Sequence, residues 1–212
     1  MSFTRYQVIE RIVRQVYGGQ PTDDSNITSN LINNWMNDAI ALAAKQNYRD
    51  NIQVDAVGYV NNSFYSTFSG IAISKDTTDN LCWMLTLPNL PVGIGRNMGV
   101  SEVRFADSNG FVSFAAIPVS IAQWAYMDGM RKIPNITMFL PEGNVVRLKT
   151  PLQMFSYTAI VKMISGGDDT NLNSILNVPN DYVPIIIEYC AKQLMLERAQ
   201  PKDLQNDGED NV

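Results

Sequence analysis

LPNLPVGIGRNMGVSEV, residues 87–103, places glycines at 93, 95 and 99 in an otherwise apolar run, and its reading decides the fold. A phosphate or dinucleotide loop opens into a helix, whose first N–H groups and dipole hold the anion. Here the chain continues as VSEVRFA (100–106), which alternates apolar and polar side chains and reads as a strand. GIGRNMG also lacks the G-x-G-x-x-G fingerprint, because position 98 is methionine, and no Gly-Lys-Ser/Thr triplet occurs elsewhere. Leu87, Leu90, Pro91, Val92 and Ile94 instead make a proline-stiffened apolar loop. Such a loop either folds back on its own domain or meets a partner.

Outward from this stretch the texture is that of short strands. FSGIAIS (68–74), LCWMLTL (81–87) and FVSFAAI (111–117) are β-rich, and DSNG (107–110) between two of these runs is a hairpin signal, since Asn109-Gly110 readily takes positive φ. NITMFLPEGNVVRLKT (135–150) reads as a second hairpin about Glu142-Gly143-Asn144, and PLQMFSYTAIVKMIS (151–165) as a further strand leading to the loop GGDDTN. SIAQWAYMDGMR (120–131) fits a short helix.

Both ends are helical. TRYQVIERIVRQVY (4–17) sets Ile9, Ile12, Val13 and Val16 on one face, with Thr4 as a cap and Gly18-Gly19 as the stop. After the polar loop QPTDDSNIT, residues 29–46 carry a stripe of Leu31, Ile32, Trp35, Met36, Ala39, Ile40 and Ala43, capped by Ser29. Near the other end, Val183, Ile186, Ile187, Cys190, Ala191 and Leu194 recur at helical spacing. Asn180 or Asp181 caps that helix, Pro184 suits its first turn, and Pro201 stops it. The fold expected is therefore α+β: a helical bundle of the N- and C-terminal helices (1–47 and 178–200) with an inserted small β-rich domain (48–177). An acidic tail, 201–212, is too poor in apolar residues to fold alone.

The composition narrows function. Of 212 residues, 45% are hydrophobic and 17% charged, a balance that favours a partner covering part of the surface. A net charge of −5 argues against a sequence-specific duplex DNA binder. The charge is uneven: Arg5, Arg11 and Arg14 oppose only Glu10 at the start, whereas Asp203, Asp207, Glu209 and Asp210 oppose only Lys202 at the end. That asymmetry suits head-to-tail stacking as well as simple solvated termini. The start MSFTRYQVIERIV is not a signal peptide, and no apolar run approaches the ~18 residues of a membrane span, so a soluble intracellular product is expected. Cys82 and Cys190 both fall in apolar runs and read as buried thiols, with a disulfide left open.

The chain has no histidine. That removes the commonest general base, the Ser-His and Cys-His pairs and most zinc sites. Ser-x-x-Lys is absent too. Asp168-Asp169 resembles a metal pair only as any solvated Gly-rich turn does. Asp203, Gln205, Asp207 and Gly208 imitate the opening of a calcium loop, which lacks its closing bidentate glutamate. Trp35, Trp83 and Trp124 lack interleaved basic residues and read as core rather than base-stacking groups. The expectation is a protein without catalytic, cofactor-binding or metal residues. The other readings open are a histidine-free cell-wall or nucleic-acid hydrolase using Asp168 and Asp169, and a cargo protein ejected with a genome.

Two segments carry a resemblance. NVPNDYVPIIIEYCAKQLMLERAQPKDLQNDGEDNV (177–212) resembles the end of head-to-tail connector (adaptor, or ring) proteins of tailed bacteriophages. The matching positions are Pro179, Asp181, Tyr182, Pro184, Arg198, Pro201, Asp203, Asn206, Asp207 and Gly208. LTLPNLPVGIGRNMGVSEVRF (85–105), followed by a strand-rich stretch, is similar to structural ring proteins of crAss-like podoviruses. The resemblance covers about fifty residues closely and the rest loosely. It implies a homo-oligomeric ring of about twelve copies below the portal, repeated through one heterologous interface. Such a virion neck component would bind portal and adjacent tail proteins, extend the channel through which DNA passes non-specifically, and touch no membrane. Leu90, Pro91, Val92, Ile94, Arg198, Pro201, Asp203, Leu204, Asn206 and Asp207 are the candidate assembly-interface residues.

Overall fold

The computed structural model describes residues 3–18, 29–56, 58–77, 79, 82–128, 136–165 and 171–199. In chain order the elements are α1 (Arg5–Tyr17), α2 (Ser29–Val54), β1 (Ser66–Lys75), β2 (Cys82–Thr86), β3 (Val100–Ala106), β4 (Val112–Ala115) and β5 (Ile117–Pro118). There follow α3 (Ile121–Asp128), β6 (Met138–Glu142), β7 (Val145–Lys149), β8 (Thr158–Met163) and α4 (Val183–Ala199). The protein is thus a mixed α+β chain. It divides into two compact units, Met1–Ala43 with Asp169–Val212, and Ala44–Asp168.

In the first unit α1 packs along α4. Thr4 caps α1 through a reciprocal box: its hydroxyl accepts from the Gln7 N–H at 3.3 Å, and the Gln7 side-chain carbonyl accepts from the Thr4 N–H at 3.0 Å. Gly18 ends the helix in the left-handed region, donating to the Arg14 carbonyl. The buried face is Arg5, Val8, Ile9 and Ile12, so it is rotated away from Val13 and Val16, which are half-buried. Arg5, read as one of a basic cluster, turns inward, and its guanidinium donates to Asn33 and Asn37 of α2. At the C-terminal helix neither Asn180 nor Asp181 makes a side-chain cap. A 3-10 turn over Asn180–Tyr182 leads directly into α4, which buries Val183, Ile186, Cys190, Ala191 and Leu194. Residues 171–176, expected in the β-rich insertion, belong to the helical unit. Arg5 and Tyr6 donate backbone bonds to Ser174 and Leu172, and Leu176 donates to Phe3.

The helix expected to end at 46 runs on to Val54. The extra turns carry no apolar stripe; they hold the returning chain by polar contacts. Asn47 accepts from the Asn61 N–H, and Asn51 donates to the Tyr59 carbonyl.

The second unit is built on an eight-stranded sheet of order β4-β3-β8-β1-β2-β7-β6-β5. The two edge strands are consecutive in the chain and separated by Ala116 alone. The run FVSFAAI, read as one strand, is therefore split: its first half pairs antiparallel with β3 and its second half parallel with β6. Ala116 donates to the Val103 carbonyl and Ile117 to that of Thr137, which draws the two edges together and curls the sheet into a barrel. β1 makes the opposite corner, pairing with β8 over its first part and with β2 from Ile73 to Lys75. A bulge between Phe68 and Ile71, with Gly70 at φ 73°, keeps Phe68, Ile71 and Ile73 all on the core side. The interior is filled by side chains from around the wall, among them Trp83, Leu85, Val103, Phe105, Phe139, Val146, Leu148, Val161 and Met163. Outside the wall, Trp124 of α3 packs with Cys82 and Leu140.

Register fixes what lies at each barrel end. Ala106 pairs with Thr158, Lys75 with Trp83 and Cys82 with Lys149, so the β3–β4 turn and the 150–157 segment share one end. Val100 pairs with Met163 and Thr86 with Val145, so the 87–99 loop and the β6–β7 turn share the other.

Candidate functional site

The 87–99 loop is strapped to the strand ends around it. Leu87 donates to the Asn144 carbonyl at 2.7 Å, Val92 to that of Ile164 at 2.9 Å, and Ile164 in turn to that of Gly99 at 2.9 Å. The Asn89 amide reaches the Ser165 hydroxyl at 2.9 Å, and the Tyr65 hydroxyl donates to the Met98 carbonyl at 2.8 Å. Burial pushes the Tyr65 phenol up to about 12, so it remains a donor at neutral pH.

The three glycines have separate roles. A Cβ on Gly99 would lie 2.1 Å from the Val92 carbonyl oxygen, so only glycine lets the two arms of the loop close on each other. A Cβ on Gly95 would stand 3.1 Å from the Tyr48 ring, and one on Gly93 would meet open space. Strand β3, not a helix, follows the loop. The glycines therefore shape backbone approach, and a single 3-10 turn over Gly95–Asn97 leads on to β3 rather than to an α-helix.

The candidate interface residues separate by burial. Leu90 is 59% exposed, whereas Val92 and Ile94 are only 5% and 9% exposed and pack into their own domain. The loop folds back through Val92 and Ile94 and presents Leu90, with Pro91 half-buried beside it. Between them opens a depression of about 340 Å³, walled by Leu90, Pro91, Val92, Ile94, Val100 and Pro141, with Asn97 as its polar side chain. None of the described side chains that line it is ionisable. The described lining is mainly apolar. Arg198 occupies the last turn of α4. Pro201, Asp203, Leu204, Asn206, Asp207 and Gly208 lie outside the described residues, as do Asp168 and Asp169.

Two features were missed in the sequence. The first is a polar cluster on the outer barrel wall. Cys82 and Lys149 are cross-strand partners, both almost fully buried, and the Lys149 ammonium stands 4.5 Å from the Trp124 ring centroid. The Cys82 thiol donates to the Asp79 carboxylate at 2.9 Å. Burial first, then this hydrogen bond and the Asp79 charge, push Cys82 up to about 12 against the opposing charge of Lys149. Cys190, free and buried in α4, is raised to about 12 by burial and by Asp38. Both are protonated thiols at neutral pH.

The second feature is an apolar rim at the barrel end opposite the loop. Phe155 is 76% exposed yet fixed edge-on against buried Trp83, with ring centroids 4.7 Å apart. Phe111 and Leu152 are exposed at the same end. PLQMFSYTAIVKMIS reads as one continuous strand, but the strand begins only at Thr158, and Phe155 stands in the turn before it. The SYT that follows Phe155 gave no local sign of this.

Among the described residues no group of three or more His, Cys, Asp or Glu side chains is placed to hold a metal ion, and no helix is long and apolar enough to cross a membrane. The first-helix arginines are engaged within the chain: Arg5 as above, Arg14 with Glu10, and Arg11 over the Phe3 ring at 4.2 Å. Trp83 and Trp124 are core residues and Trp35 is half-buried. No protein-family model matches the chain, and no curated protein matches it.

Proposed function

We propose that this chain is a virion structural subunit: a head-to-tail connector that assembles into a ring below a phage portal, extends the DNA channel and docks further tail proteins. In this reading α1, α2 and α4 form the helical bundle of the ring and the β barrel is the inserted domain. The acidic tail, 201–212, is the segment this reading assigns to contact with a neighbouring component. The observation that carries the reading is the distribution of apolar surface. Leu90, Phe111, Ile121, Phe155 and Leu196 are each more than half exposed, on a chain of which only 17% is charged. Each large apolar side chain covered contributes roughly 1.5–3 kcal/mol, a strong drive to associate. The resemblance of residues 177–212 to connector termini supplies the kind of assembly, and the net charge of −5 suits a channel to which DNA does not stick.

The test is the mass of the purified full chain in solution, by light scattering and electron microscopy. The reading expects closed rings of one copy number. A chain that stays monomeric at high concentration contradicts it.

A further inference from the structure

We infer that α3 is a latch with one pin: Trp124 holds it on the outer wall of the barrel, and its release uncovers Cys82 and Lys149 while the barrel stays folded. This goes beyond the connector reading and does not rest on it. The wall under α3 carries a row set by strand register. Cys82 of β2 pairs with Lys149 of β7, which pairs in turn with Met138 of β6, and the three are 1%, 2% and 4% exposed. Side chains alternate along a strand, so this row points away from the interior that Trp83, Leu148 and Phe139 fill. An outward row stays dry only under a cover, and Trp124 lies over this one. It packs with Cys82 and Leu140, and the Lys149 ammonium stands 4.5 Å from its ring centroid.

The rest of α3 adds little to that hold. Ile121, Ala122, Gln123, Ala125 and Tyr126 are exposed and Met127 is half-buried, so Trp124 is the one buried side chain described in the helix. With eight residues α3 is too short to persist alone in water. Its start is better fixed. The Val119 N–H donates to the Phe139 carbonyl at 3.1 Å. Ser120 and Gln123 then make a capping box: the Ser120 hydroxyl accepts from the Gln123 N–H at 3.2 Å, and the Gln123 side-chain carbonyl from the Ser120 N–H at 2.8 Å. The chain is thus anchored up to Ser120, about which α3 can lift. Segments with so few buried contacts open without unfolding the core beneath them.

Two variants of the full chain release the latch by different routes. Trp124→Ala removes the pin, and Ala125→Pro keeps the pin but breaks the helix that carries it, at an exposed position. Hydrogen exchange read by mass spectrometry follows α3 against β3 and β8, and labelling with a soluble maleimide at about pH 8 follows Cys82. Burial is the first cause of the raised Cys82 value, so opening both uncovers the thiol and restores part of its thiolate fraction. Relative to wild type, exchange in α3 and labelling of Cys82 are each expected to rise roughly tenfold or more, with β3 and β8 as protected as before. Cys190, buried in α4, is expected to stay unlabelled. Selective opening in either variant upholds the latch. If neither variant shows it, because Cys82 stays closed or because β3 and β8 lose protection together with α3, the latch is overturned.

Discussion

At the scale of single residues, the glycines of the 87–99 loop make opposite predictions. Gly99→Ala forces a methyl against the Val92 carbonyl and is expected to cost about 2 kcal/mol or more, as overpacking does. Gly93→Ala meets open space and is expected to shift stability by less than about 0.5 kcal/mol. Urea denaturation of the two variants measures this, and equal costs would refute the close-approach account. The thiols make a second test. Cys82 and Cys190 have folded values near 12 against an ordinary 9.0. Between those values the folded chain keeps protons that the unfolded chain releases, so their contribution is intact below pH 9 and is lost as pH rises toward 12. The urea midpoint is expected to fall across that window, and a Cys82→Ala, Cys190→Ala double variant to flatten the fall. An unchanged slope in the double variant would show that the thiols are not its source. At pH 8 neither thiol should react with a soluble thiol reagent until the chain is unfolded.

At the scale of elements, local chemistry and long-range closure part company. Thr4 declares the start of α1 in the sequence, and Thr4→Ala is expected to cost about 1 kcal/mol of stability in thermal or urea melts. β3 was legible to the residue, since VSEVRFA carries its own alternation. The β3–β4 turn was legible in place but not in detail. Only Gly110 takes positive φ, and Asp107 fixes the loop by accepting from the Asn109 and Phe111 N–H groups. The end of α2 was not legible, because Asn47 and Asn51 extend the helix by binding chain that returns from residues 59–61. Barrel closure was hidden for the same reason. Nothing in FVSFAAI marks Ala116 as the place where one strand leaves β3 for β6; that is set by partners distant in sequence. Of the candidate site, the apolar character of Leu90 to Ile94 was legible, but which of those side chains face inward depends on the straps to Ile164 and Ser165.

At the scale of the whole molecule, low charge and exposed apolar side chains set how the chain should respond to its surroundings. Described surface ion pairs such as Arg14 with Glu10 and Lys192 with Glu188 are exposed and contribute little to stability. If copies meet through apolar contacts, raising salt from about 0.1 to 1 M, which shortens electrostatic reach from ~10 to ~3 Å, is expected to leave the assembly intact. Dissociation in high salt, followed by light scattering, would point to charged contacts instead. If the chain is the virion subunit proposed above, the most direct measurement is electron cryomicroscopy of the particle it belongs to, at a resolution that places this chain in it. The account predicts a closed ring of this subunit between portal and tail. A neck built without it would contradict the account.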